Sequence, residues 1–249
     1  MIAADDIRAF CQALGGAEEP LGLFYADTPP EDATMPPESG WSCMVGRLAA
    51  TRRKGKPAAF SASRNGCPGA AYFLGFQIPQ ASFLPEYISK GEGYLDSPAA
   101  AADFYAAVDS RPAPRPWCVV KRLADCGPED KAELVLFFGR PEIVSGLHQL
   151  AAYVTSDTEA VASPFGSGCA NLVAWPFNHL GRGRLKLVLG GWDPSCRPFL
   201  GLEELTASMP FELFRRMIRL WPESFVARET WAKVVRRSEK SRTLFAAGD

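Results

Sequence analysis

Four of the seven cysteines directly follow a glycine or serine, a setting that suits sulfur chemistry better than core packing. Cys43 ends Gly40-Trp41-Ser42-Cys43, and Cys67 lies in Asn65-Gly66-Cys67-Pro68-Gly69. Cys169 ends Gly166-Ser167-Gly168-Cys169, and Cys196 lies in Asp193-Pro194-Ser195-Cys196-Arg197. Small neighbours let the backbone approach a thiolate and turn its N–H groups toward sulfur. That environment serves a metal or iron–sulfur ligand, or a reactive thiol.

Each chemistry makes its own demand. Cluster thiolates need amide-rich loops, because backbone N–H groups bonded to sulfur tune the cluster. Cys67-Pro68 resembles the Cys-Pro step of ferredoxin loops. Zinc also accepts several thiolates, but closed zinc sites carry a closely spaced cysteine pair, which is absent here. A helix N-terminus behind Cys43 or Cys169 would lower the thiol pKa and make a nucleophile. The bland alternative is that the four cysteines pack where small residues are required.

A second constellation is Gly190-Gly191-Trp192-Asp193-Pro194-Ser195-Cys196-Arg197. An Asp and an Arg beyond a strand's C-terminal end stand where open α/β sheets bind ligands. Arg197 could hold a carboxylate or phosphate, and Arg47, one helical turn beyond Cys43, could reach the same cleft. The alternative for Asp193 and Arg197 is a turn brace. The two histidines, His148 and His179, fall in no metalloprotease or triad pattern, and neither a Walker loop nor a dinucleotide fingerprint is present.

A net charge of −1 gives no overall field for nucleic acid or an anionic membrane. No apolar run approaches the ~20 residues of a membrane span, and the acidic opening residues are no signal peptide. These features point to a cytoplasmic protein that binds a small molecule, not nucleic acid or membrane. Cytoplasmic thiols stay reduced, so a disulfide framework is not expected and metal binding or catalysis gains weight.

The elements that must position these residues follow from periodicity. Ile7, Phe10, Cys11 and Leu14 share one face of an opening helix. Leu21–Tyr25 is a buried strand, a helix follows Trp41 and closes at Gly55, and Ala58–Phe60 is a short strand. Ser97-Pro98 opens an Ala-rich helix to Val108. After a Pro-rich stretch at 111–116, strands are expected at 117–121, 133–138 and 185–189, with helices from Pro141, Cys169 and Pro210. The order of strand, cysteine-led helix, strand and cysteine turn occurs twice, with cysteine separations of about 24 and about 27 residues. We expect an α/β protein, with α+β as the alternative. Two similar halves, 1–110 and 117–249, would be related by a pseudo-twofold, with mixed sheets and flanking helices. One compact domain is the alternative to two.

Further segments join these: Tyr72-Phe73-Leu74-Gly75, Tyr87-Ile88-Ser89-Lys90-Gly91-Glu92, Arg140-Pro141-Glu142, Trp175-Pro176, and Met209-Pro210-Phe211 before Glu223-Ser224-Phe225. With the cysteine motifs, their order resembles the bacterial and archaeal family called domain of unknown function 169, over about residues 20–237. The resemblance implies three recurrent cysteines, Cys43, Cys67 and Cys169, with a small residue expected where Cys196 stands. It brings no established activity. The expectation is an iron–sulfur protein of the 4Fe-4S type, with a three-cysteine site, an open position and Cys196 as a candidate fourth ligand. It would act on a small anionic or sulfur-containing substrate oriented by Arg47, Asp193 and Arg197. The alternatives are a non-catalytic metal or small-ligand sensor, with zinc or no metal, and a thiol enzyme using Cys67 or Cys169.

Overall fold

The computed structural model describes residues 2–76 and 82–246. Helix α1 (Ala4–Ala13) buries Ile7, Phe10 and Cys11 and carries Asp5 and Asp6 in its first turn, where carboxylates complement the dipole. Strand β1 (Leu21–Ala26) follows. Helix α2 (Met44–Lys54) ends on Arg52, Arg53 and Lys54, and Gly55 closes it at φ +70°. Strand β2 (Ala58–Phe60) leads to the short α3 (Pro68–Phe73) and α4 (Leu84–Glu86). A single π-helical turn, Tyr87–Gly91, continues α4. In α5 (Pro98–Val108) the Ser97 side chain accepts the Ala100 N–H and Pro98 opens the first turn, as the sequence signals.

Strands β3 (Trp117–Arg122) and β4 (Leu134–Gly139) precede α6 (Pro141–Thr155) and the two-residue β5 (Val161–Ala162). A continuous helical stretch at 168–181 includes a π-helical turn, Ala170–Ala174, and α7 (Trp175–Gly181). The remaining elements are β6 (Leu187–Gly190), β7 (Leu205–Pro210), α8 (Phe211–Leu220) and α9 (Glu229–Ala246).

The seven strands form one mixed sheet in the order β2-β3-β1-β4-β7-β6-β5. Every pair is antiparallel except β5–β6. Strand alternation divides the core in two. On one face Leu23, Phe60, Val120, Leu136 and Phe138 pack beneath residues of α2, α3, α5 and the 168–181 helix. On the other, Val135, Phe137, Ala207 and Met209 pack against α1, α6, α8 and Trp231.

The mixed α/β expectation holds, but the Pro-rich stretch at 111–116 does not divide the sheet. Strand β3, just after it, pairs between β2 and β1. Outward from the central β1–β4 pair the order reads β1-β3-β2 on one side and β4-β7-β6 on the other. The change of sides therefore falls between β3 and β4. Among the described residues, strand β5 and helix α6 have no counterpart in the first half, so the repetition is one of strand order and cysteine position.

Strand β7 was not expected from the sequence. It presents Ala207 and Met209 to one core, while Thr206 and Ser208 are buried on the opposite side, so it lacks an apolar run. Ser208 Oγ is satisfied by donating to the Leu172 carbonyl of the π-helical turn at 2.6 Å.

Candidate functional site

Each of the four cysteines is placed by the start of a helical segment. Cys43 is the N-cap of α2, in extended conformation. Cys67 is the N-cap of α3; its sulfur accepts the Ala70 N–H at 3.3 Å, and Pro68 opens the helix. Cys169 stands at the start of the 168–181 helix, its Sγ 3.3 Å from Ser167 Oγ. Cys196 precedes the 3₁₀ turn Arg197–Phe199.

Backbone contacts lock these loops together. The Ser42 N–H donates to the Gly66 carbonyl at 2.8 Å. Gly66 has φ +83°, and a Cβ there would collide with the Ser42 carbonyl oxygen, so only glycine fits between the Cys43 and Cys67 turns. In the other half, Asp193 Oδ2 accepts the Gly168 N–H at 3.0 Å, and Asp193 Oδ1 accepts the Ser195 N–H at 2.9 Å. That carboxylate joins the Cys169 and Cys196 loops. Across the halves, a Cβ on Gly168 would lie 2.9 Å from Val45 of α2 and 3.1 Å from the Cys196 sulfur.

The four loops close around one cavity of about 430 Å³ whose lining includes Cys43, Cys67, Cys169 and Cys196. Met44, Val45, Phe73, Leu84 and Ile88 make it largely apolar. Cys11, Cys118 and Cys126 are not in the lining, and all seven cysteines are free thiols. Both π-helical turns border the cavity: Tyr87 and Ile88 belong to one, and Cys169 directly precedes the other. Such turns recur at functional sites because they displace side chains from regular helical positions.

Burial is the first influence on every thiol here. It pushes Cys43 up, with the amides of Gly46 and Val45 offsetting it in part. It pushes Cys67 up against the amides of Ala70 and Gly69, and a Cys43 thiolate pushes it further. Cys169 is raised well above the ordinary thiol value by burial, then by Cys67, Cys43 and Asp193, against the Ser167 hydroxyl. Cys196 is pushed up to about 12 by burial and then by Asp193 and Cys43. The mutual influence places these sulfurs within electrostatic reach of one another.

The polar residues sort differently from the sequence expectation. Asp193 lines the cavity, but both its oxygens are taken by the Gly168 and Ser195 donors. Arg47 does not line the cavity; its Nε donates to Ser42 Oγ at 2.7 Å. Arg197 also lies outside the lining. Its guanidinium donates to the carbonyls of Gly191, Gly201, Leu202 and Glu204, so it braces the 191–204 loop. The carboxylate that the sequence reading passed over is Glu92, in the cavity wall one residue beyond a π-helical turn. Its signal was the Tyr87–Glu92 segment, where a carboxylate follows Lys90-Gly91.

Among the described residues, no three His, Cys, Asp or Glu side chains are grouped so as to hold a metal ion. No described helix is long and apolar enough to cross a membrane.

A mixed sheet carries four cysteine turns around one apolar cavity, and this thiol-lined pocket defines the site. The family is shown directly: residues 9–219 match the model for DUF169, the uncharacterised ArCR proteins, and the chain belongs to that family. No curated protein and no solved structure matches it.

Proposed function

We propose that this chain is an iron–sulfur protein whose cluster occupies the apolar cavity on the thiolates of Cys43, Cys67 and Cys169. One observation carries the reading: three thiols on three separate helix starts line one apolar cavity that has no basic residue among the described residues of its lining. Burial raises each thiol, and neighbouring thiolates raise Cys67 and Cys169 further. Such a set stays protonated until positive charge enters between the sulfurs, so metal uptake would release protons.

Two rivals have less support. A nucleophilic thiol needs a depressed pKa, usually from an adjacent cation, and these thiols are raised. A single zinc ion needs its ligands converged at about 2.3 Å from the metal, a grouping not found among the described residues. A cluster asks less convergence, because each thiolate can bind its own iron. The amide on Cys67 sulfur and the hydroxyl beside Cys169 sulfur are the kind of second-shell contacts that tune cluster sulfurs. With three cysteine ligands, one iron of a 4Fe-4S cluster would lack a protein thiolate and could act as a Lewis acid toward a bound ligand.

Anaerobic reconstitution with ferrous iron and sulfide tests the reading against a parallel zinc titration. Broad visible absorbance that develops with iron and sulfide, and is lost in Cys43→Ser, Cys67→Ser and Cys169→Ser, is the expected result. Stoichiometric tight zinc binding by a colourless protein that takes up no iron and sulfide would contradict it.

A further inference from the structure

The charge of the cavity's lining restricts what can enter it. Its ionisable side chains are thiols, tyrosines, Glu92 and Asp193; the described lining holds no Lys, Arg or His. Residues 77–81, Gln-Ile-Pro-Gln-Ala, bring no charge by sequence. The arginines closest in sequence to these cysteines are committed elsewhere, Arg47 to Ser42, Arg64 to Glu38 and the Pro36 carbonyl, and Arg197 to four carbonyls. An anion would meet two carboxylates and no cation.

The two carboxylates differ. Asp193 is saturated by neutral donors that tie two loops. Glu92 makes no ion pair among the described residues; burial and Asp193 both raise its pKa, and no basic group offsets them. Aromatic side chains share the cavity wall with it. Trp41, Phe83 and Tyr87 line the cavity yet remain 65%, 44% and 48% exposed, so they form its mouth. Phe83 and Tyr87 meet edge to face at 6.2 Å. Exposed aromatics around a lone carboxylate attract a cation with apolar substituents, through the ring quadrupoles and the counter-charge together. The volume lies in the range of small-ligand sites.

We propose that the cavity takes a small organic ammonium cation, with Glu92 as its counter-charge and Trp41, Phe83 and Tyr87 as its aromatic wall. This rests on the preceding reading only in taking the cavity as the ligand site, since the charge selection does not depend on iron.

The test uses three probes of similar shape and different charge: tetramethylammonium, tert-butanol and pivalate. Each is titrated into the full chain as purified, with calorimetry and tryptophan fluorescence as readouts and iron measured on the same sample. Tetramethylammonium should bind about tenfold or more tighter than tert-butanol, and pivalate should bind weakest. Glu92→Gln should abolish most of that preference while leaving the circular dichroism unchanged, and Tyr87→Leu should weaken the cation alone. Pivalate binding as tightly as tetramethylammonium, no binding by any probe, or an unchanged charge preference in a folded Glu92→Gln would overturn the proposal. A protein that keeps the charge order yet takes up no iron and sulfide on anaerobic reconstitution supports it and sinks the cluster reading alone.

Discussion

The two halves of the sheet present the same cysteine positions with different support. In the first half Cys43 starts a helix after β1, and Cys67 follows β2. In the second, Cys169 starts a helix before β6, and Cys196 follows that strand. The first half joins its two turns with a backbone hydrogen bond between Ser42 and Gly66; the second uses the Asp193 carboxylate. The sharper contrast lies in the second cysteine of each pair. The Cys67 sulfur accepts the Ala70 amide, whereas Cys196 packs against Gly168 and is raised by burial and then by Asp193. The repeated strand order brings four thiols to one cavity; burial raises both Cys67 and Cys196, with the Ala70 amide the next influence at Cys67 and the Asp193 charge the next at Cys196.

Serine replacements break this comparison most strongly. Cys67→Ser should lose nearly all bound iron, and Cys196→Ser should keep it, as measured by metal analysis after anaerobic isolation. Equal loss in both would make the two turns equivalent.

Gly66→Ala comes next. The new methyl would strain a positive-φ backbone and strike the Ser42 carbonyl, for a loss of about 2–4 kcal/mol in denaturant unfolding. The same change at Gly69, where a Cβ meets nothing within 4 Å, should cost well under half of that. Arg197→Ala leaves the 191–204 loop without its brace and should cost about 1–3 kcal/mol, with iron retained. Iron loss in a folded Arg197→Ala would restore a role for this residue at the site.

The smallest effect is in pH. Burial raises Cys196 to about 12, and Cys11 and Cys126 likewise. An unfolded thiol titrates near ~8.5, so the folded chain holds these protons more tightly. Their contribution to the stability of the metal-free protein is complete below about pH 8.5 and is lost as pH rises toward about 12. Urea midpoints measured from pH 7 upward should fall above about pH 9, with no such fall between pH 6 and 8.

Much of the scaffold was legible because it obeys short-range rules. The α1 stripe, the Ser97-Pro98 helix start and the Gly55 stop are each fixed by a few neighbouring side chains. The four cysteine motifs were legible for the same reason, since glycine beside a thiol marks close backbone approach, and Gly66 and Gly168 both prove to need it. What escaped is set by tertiary contacts. Strand β7 hides Ser208 behind a hydrogen bond to a π-helical turn, which no local pattern announces. The pairing of β3 between β2 and β1 is a long-range choice that the Pro-rich stretch before it concealed. For Arg197 the sequence left an anion ligand and a turn brace both open, because it shows a charge but not the four carbonyls to which the guanidinium donates. Glu92 was passed over because its meaning depends on the aromatic mouth around it and on cations that are elsewhere.

Iron and acid-labile sulfide, measured per chain on protein isolated without oxygen, test the central claim most directly. The account predicts about four of each in the wild-type chain, with the full complement lost together in each of Cys43→Ser, Cys67→Ser and Cys169→Ser. A wild-type chain with neither iron nor sulfide after anaerobic reconstitution, or single variants that each lose only their own share, would contradict a cluster held jointly by these three cysteines.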